Sequence, residues 1–333
     1  MDIKLLQKLG NIDQIAGIRE TECMSGNARG LRMIEVYNAA GLRFTVVPDH
    51  CLDIYDFSYK GQNLAFHSKN GLQTAWSTAE DDFFKLWPGG MLSTCGLLNV
   101  GASCYDKGFH PIHGRIGSTP ARHISINEGW KDDDYILSIS GDVWETQLYG
   151  NQLSLHRTIS TGLKDRSVTI SDTITNHTMT DEEFMLLYHI NFGYPLLDET
   201  SQLICSSLVT ESHTGDSIYP FNMCAPGSEP GHQIFLHSFQ GSIAKAVITN
   251  PALKIAGYVE YETTNLPYLC EWKHLEKHDY VIALEPCNCI GLGRLAEREN
   301  HTLKSLPAYS SISQRFSIGV LEGDIELQAF IKN

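Results

Sequence analysis

The chain is short of positive charge, of paired cysteines and of long apolar runs, and each shortage removes a class of function. Lys and Arg number 25 against 39 Asp and Glu, giving a net charge of -14. Nucleic-acid binding needs a basic footprint, so no nucleic-acid partner is expected. An acidic surface favours solubility and says little about a substrate. No apolar run reaches the ~18 residues of a membrane-spanning helix. The first ten residues lack both an extended apolar core and a small-residue cleavage site, so they do not read as a signal peptide. Nine cysteines form no double CxxC, and Cys287-Asn288-Cys289 is weak as a metal motif. Unpaired, scattered thiols fit the cytoplasm and a role as small core residues. No G-x-G-x-x-G, P-loop or G-x-S-x-G is present, and no repeat of solenoid or propeller length is visible.

What the chain has is β signal. In 166–175, Val168, Ile170 and Ile174 alternate with Thr169, Ser171, Thr173 and Thr175, the pattern of a half-buried strand. Similar runs predict strands at 31–37, 42–47, 135–148, 152–160, 253–261, 280–285, 311–320 and 325–331. Helices are expected only at 2–9, 78–86 and 292–299. Without a βαβα alternation, parallel α/β folds are disfavoured. Many evenly spaced strands predict an all-β, large antiparallel sandwich. The whole of 1–333 is read as a single domain, with 1–25 as a short helical or strand extension. The best break, 224–231, reads as a long loop over the sandwich.

Four stretches carry polar chemistry. In Tyr188-His189-Ile190-Asn191-Phe192, period-2 parity puts Phe184, Leu186, Tyr188, Ile190 and Phe192 on one face. Met185, Leu187, His189 and Asn191 take the other, so an imidazole and an amide share an otherwise apolar face. Polar groups there need partners or a ligand; a satisfied core histidine is the plain alternative. The loop His110-Pro111-Ile112-His113-Gly114-Arg115 has the irregular backbone of a binding loop. No cysteine or carboxylate completes a metal set around its two histidines, so no metal is expected. Glu285 ends the apolar run Ile282-Ala283-Leu284, a setting that suits general acid–base work. Trp87, ahead of Gly89 and Gly90, offers an aromatic face for a sugar or for the core. Arg32 and Arg115 are candidate clamps for a hydroxylated or anionic ligand. No activated nucleophile stands out.

The ordered set resembles the aldose 1-epimerase (galactose mutarotase-like) superfamily, in an uncharacterised bacterial branch. The carrying motifs are Arg29-Gly30-Leu31-Arg32, Val47-Pro48-Asp49-His50-Cys51-Leu52-Asp53-Ile54, the run from Gly89 to Gly101, His113-Gly114-Arg115-Ile116, the run from Leu187 to Leu197, and Glu285-Pro286. The resemblance implies a β-supersandwich binding a sugar on a concave sheet face. It implies His189 as the general acid at the ring oxygen, Glu285 as the general base at the anomeric hydroxyl, and His113 as a substrate-orienting residue. Arg115, Arg32, Asn191 and Trp87 join His113 as substrate-binding candidates. The expected activity is cofactor-independent anomer interconversion. An isomerase or lyase acting at a sugar carbon, or a non-catalytic carbohydrate-binding domain, is the alternative on the same fold. The sugar and the oligomeric state are not legible.

Overall fold

The computed structural model describes residues 7–74, 82–215, 221–228 and 231–332. The first strands form a meander: β1 (Gly17–Glu22), β2 (Arg32–Tyr37), β3 (Leu42–Val47), β4 (Asp53–Tyr59) and β5 (Gln62–Asn63). Next come β6 (Leu92–Leu97) and the short pair β7 (Cys104–Tyr105) and β8 (Phe109–His110). Long hairpin strands follow: β9 (Arg122–Lys131), β10 (Asp134–Thr146), β11 (Gln152–Gly162), β12 (Ser167–Asn176) and β13 (Glu182–Phe192). The remainder is β14 (Gln202–Cys205), β15 (Val209–Ser212), β16 (His232–Ser238), β17 (Ile243–Asn250), β18 (Ile255–Glu262), β19 (Tyr268–Glu276), β20 (Asp279–Cys287), β21 (Lys304–Leu306) and β22 (Ser311–Glu322).

Two large antiparallel sheets result, as the sequence pattern predicts. One has eight strands in the order β14-β17-β18-β22-β12-β11-β10-β9. The other has seven, β15-β16-β19-β20-β13-β21, with β6 paired to β13 beside β21. Strand β13 is buried on both faces, and its parity sorts its side chains between two cores. Phe184, Leu186, Tyr188, Ile190 and Phe192 enter the main core with residues of the eight-stranded sheet such as Leu155, Ile170 and Phe316. Met185 and Leu187 join a second, smaller cluster with Cys95, Val100, Cys270, Cys287 and Cys289. His189 continues that second face.

Three α-helices are described: α1 (Phe83–Leu86), α2 (Arg294–Glu299) and α3 (Gly323–Lys332). The first two fall inside the helices expected at 78–86 and 292–299; residues 78–81 of the former and most of the expected 2–9 helix lie outside the described residues. The strand expected at 325–331 is a correction, because those residues form α3. Leu327 and Phe330, one helical turn apart, pack on Val247, Ala256 and Tyr258 of the eight-stranded sheet. Glu326 closes the first turn by accepting from the Glu322 amide (2.8 Å) and from Arg166 (2.7 Å). Five apolar residues in seven mimic a strand, but the helical i, i+3 pair wins because it covers apolar sheet surface.

Candidate active site

One face of the seven-stranded sheet floors a cavity of about 640 Å³. Its position follows from strand register. Leu187↔Cys287 and Ile190↔Leu284 pair β13 with β20, which sets His189 opposite Glu285. Cys270 of β19 pairs with Glu285 from the other side. One row across three strands therefore reads His189, Glu285, Cys270, all pointing to the same face by the strand alternation.

The row is buried, with His189 5% and Glu285 3% exposed. Nε2 of His189 lies 2.9 Å from Oε1 of Glu285. That oxygen is nevertheless buried without a hydrogen bond among the described residues. Behind the imidazole sits Asn191, fully buried. Its Nδ2 donates to the carbonyls of Gly90 (2.8 Å) and His189 (3.0 Å), so its Oδ1 must face Nδ1 of His189. Nδ1–H donates to that Oδ1. The proton on Nδ1 is thus fixed, and Nε2 is the nitrogen free to exchange a proton with the Glu285 side.

His113 closes the row from the loop side, its ring centroid 5.7 Å from that of His189 and nearly perpendicular to it. Burial, with His189 adding to it, pushes the His113 imidazole down to about 3. Its Nδ1 accepts from the Gly101 amide (3.4 Å), which puts the proton on Nε2. His113 is therefore a neutral hydrogen-bond donor and not a proton source. Gly114 holds it in place. The chain there is left-handed (φ 73°), and a Cβ on Gly114 would sit 2.1 Å from the Gly96 carbonyl oxygen of β6. We expect Gly114→Ala to cost at least about 1–3 kcal/mol from backbone strain alone, and to displace His113. Chemical denaturation checks the first effect; an unchanged midpoint would contradict the close approach.

Trp87 forms a side wall, its indole N–H donating to Ser93 Oγ (3.1 Å) and its ring centroid 5.2 Å from His189. Trp272 stands across from it, at 6.1 Å from Trp87 and 5.5 Å from His189. Phe66, Phe83 and Ile234 complete an apolar, aromatic lining. Burial and the neighbouring Glu285 push the Cys270 thiol well above the usual thiol range, so it remains a thiol and not a nucleophile. No group of three or more His, Cys, Asp or Glu among the described residues is arranged to hold a metal ion.

The structure thus brings His189, Glu285, His113 and Trp87 together and leaves three candidates outside. Arg32 is exposed on β2 and spends its guanidinium on Asp49. Arg115 is exposed beyond the His-Gly turn, off the cavity wall. Asn191 supports His189 from behind and does not line the cavity.

A family model described as a domain of unknown function, DUF4432, matches residues 28–320. The chain belongs to this family. No curated protein matches the chain in sequence. Among solved structures, a candidate aldose 1-epimerase from Klebsiella pneumoniae superposes with a TM-score of 0.86 at 18% identity, covering 95% of this chain and 86% of that one. A galactose mutarotase-like protein from Clostridium acetobutylicum gives 0.64 at 12% identity, over 93% and 99%. The galactose 1-epimerase of Lactobacillus acidophilus gives 0.61 at 13%, over 93% and 100%. The fold of this DUF4432 member is therefore that of the galactose mutarotase-like proteins.

Sequence reasoning missed the β19 contribution, Cys270, Trp272 and His274. The strand carries Glu271 and Lys273 on its other face, and both are buried, so the run does not alternate apolar with polar. The available signal was the spacing of Cys270, Trp272 and His274 at every second position. It also missed Glu145, buried on β10, whose Oε2 accepts from the Leu97 amide (2.8 Å). Burial raises this carboxyl from 4.5 to about 7. The folded state then binds more protons than the unfolded one between those values, so this group makes stability fall as pH rises from about 4.5 to 7. Glu145→Gln keeps an acceptor for Leu97 and removes the titration. We expect the variant to lose that slope, a relative gain on the order of 2 kcal/mol at pH 8, read from urea midpoints across the pH range.

Proposed function

We propose that the chain is a cofactor-independent aldose 1-epimerase, interconverting the anomers of an aldose by acid–base ring opening at His189 and Glu285. The observation that carries this reading is the buried Glu285 oxygen, left without a hydrogen bond 2.9 Å from the one imidazole nitrogen whose proton is not fixed. A buried polar atom without a partner calls for an explanation, and a ligand hydroxyl supplies one.

Ring opening moves one proton off the anomeric hydroxyl and places one on the ring oxygen. A pair that holds a single proton between its members does both. The Glu285 carboxylate takes the hydroxyl proton while Nε2 of an imidazolium gives its own to the ring oxygen. Afterwards the same proton count resides on Glu285, and the aldehyde is free to turn about its C1–C2 bond. Reclosure on the other face returns both protons. Asn191 supports the imidazolium through Nδ1, and His113 offers Nε2–H to a sugar oxygen. Trp87 and Trp272 give the ring apolar faces to rest on.

The test follows a freshly dissolved single anomer by polarimetry or proton NMR, across neutral and acidic aldoses. Acceleration of equilibration is expected for at least one sugar. Saturable binding with no acceleration would instead make this a carbohydrate-binding domain. Run in heavy water, the reaction should leave carbon-bound hydrogens unexchanged; deuterium on carbon would indicate an isomerase or lyase.

A further inference from the structure

The cavity extends well past the acid–base row, and its far end is built from different chemistry. Along β19 and β20 the rows run from Cys270–Glu285, through Trp272–Ala283, to His274–Val281, with His232 of β16 paired to His274. Asp279 lies one more row out. From Glu285 to the level of Val281 is four residues, or about 13 Å along a strand, longer than one pyranose ring. The volume, about 640 Å³, lies in the ~300–1,000 Å³ range of small-molecule pockets. The middle rung is aromatic, with Trp272 facing Trp87 and Phe66.

The far end is polar again. Lys69 and Asp279 line it and pair at 2.6 Å. His232 and His274 line it too, and Nδ1 of His274 is buried without a hydrogen bond among the described residues. The charge balance matters. Among the described residues Lys69 is the one Lys or Arg of the lining, and Asp279 already neutralises it, while Glu285 adds a second carboxylate. No arginine among the described residues lines the cavity. Such a lining favours hydroxyls over phosphate, sulfonate or carboxylate.

We propose that the ligand of this cavity is a neutral reducing disaccharide or longer oligosaccharide and not a free monosaccharide. This rests on the acid–base reading of His189 and Glu285. The reducing unit lies over His189 and Glu285, the next unit lies across Trp272, and its hydroxyls meet His274, His232 and the Lys69–Asp279 pair.

The experiment measures binding, separately from turnover, by quenching of tryptophan fluorescence. The probes are glucose, galactose, glucose 6-phosphate, glucuronate and a panel of reducing disaccharides with α1,4, β1,4 and α1,6 linkages. The Glu285→Gln protein is titrated beside the wild type, so that binding is read without reaction. At least one disaccharide is expected to bind tenfold or more tightly than either of its monosaccharides and than both anionic sugars. Asp279→Ala and His274→Gln should each reduce that advantage about fivefold or more, one lost hydrogen bond's worth. The exposed His232→Ala provides a third variant with little risk to folding. Equal affinity for mono- and disaccharides, a preference for the anionic sugars, or an advantage unmoved by all three variants would overturn the proposal. A disaccharide preference without any anomer interconversion would leave it standing and remove the epimerase reading instead.

Discussion

Glu285→Gln should slow anomer interconversion by about 10²–10⁴-fold, the usual contribution of one acid–base partner, while the protein stays folded and still binds sugar. The glutamine side chain matches the carboxylate in shape, so the row between His189 and Cys270 keeps its packing. What it loses is the ability to take up the anomeric proton. His189→Asn should have an effect of similar size by removing the donor to the ring oxygen. The two losses should not add. Once either member is missing, the single shared proton has nowhere to go, and the remaining partner cannot complete the exchange. The measurement is the first-order approach to anomeric equilibrium by polarimetry, with near-ultraviolet circular dichroism as the control for folding. A rate within twofold of wild type for both single variants would reject the pair as the catalytic centre. A double variant far slower than either single one would reject the shared-proton account even if both residues matter.

Much of this site was legible because β-strands convert sequence parity directly into spatial side. His189 was placed opposite the main core by counting from Tyr188, and the fold puts Tyr188 in the inter-sheet core and His189 in the cavity. The pairing of position 189 with 285 was not legible from parity. It depends on cross-strand register between β13 and β20, elements separated by nearly a hundred residues and by six intervening strands. Only the family resemblance suggested it. Arg32 lies off the cavity wall for a local reason. A guanidinium in a strand or turn finds the nearest carboxylate, and for Arg32 that is Asp49, bonded through both the side chain and the backbone amide. Strand β19 was hidden because two charged residues occupy its buried far face, where Glu271 meets His237 at 2.9 Å. The helix at Gly323–Lys332 was misread because short apolar runs do not separate period 2 from period 3.6.

The same parity carried a signal that went unused, and it leads to the largest stability effect expected. Leu153, Leu155 and Ile159 alternate inward on β11, which puts Arg157 on the core face. Val168, Ile170 and Ile174 do the same for Asp172 on β12, and Ile312, Phe316 and Ile318 for Gln314 on β22. The three polar residues form one row across the eight-stranded sheet. Arg157 is fully buried and grips Asp172 with two hydrogen bonds (3.0 and 2.7 Å). It also reaches Asp53 (2.8 Å) on β4 and Thr94 (2.9 Å) on β6. Tyr188 donates to Asp172 (2.7 Å), and Gln314 donates to Tyr188 (2.9 Å). The network therefore ties both sheets together one residue away from His189. Replacing Arg157 with Met strands two buried carboxylates and should destabilise the fold by about 3–5 kcal/mol. The pH dependence identifies the cause. Burial already raises Asp53 from 3.8 to about 6, against the pull of Arg157. That shift makes its contribution to stability decline as pH rises through this window. Without the guanidinium the carboxyl is held protonated to still higher pH, so the deficit of the variant should be smaller at pH 5 than at pH 8. Urea unfolding at both values measures it. A deficit under 1 kcal/mol, or one that grows toward acid, would show that the buried arginine does not offset the burial of Asp53 inside the sandwich.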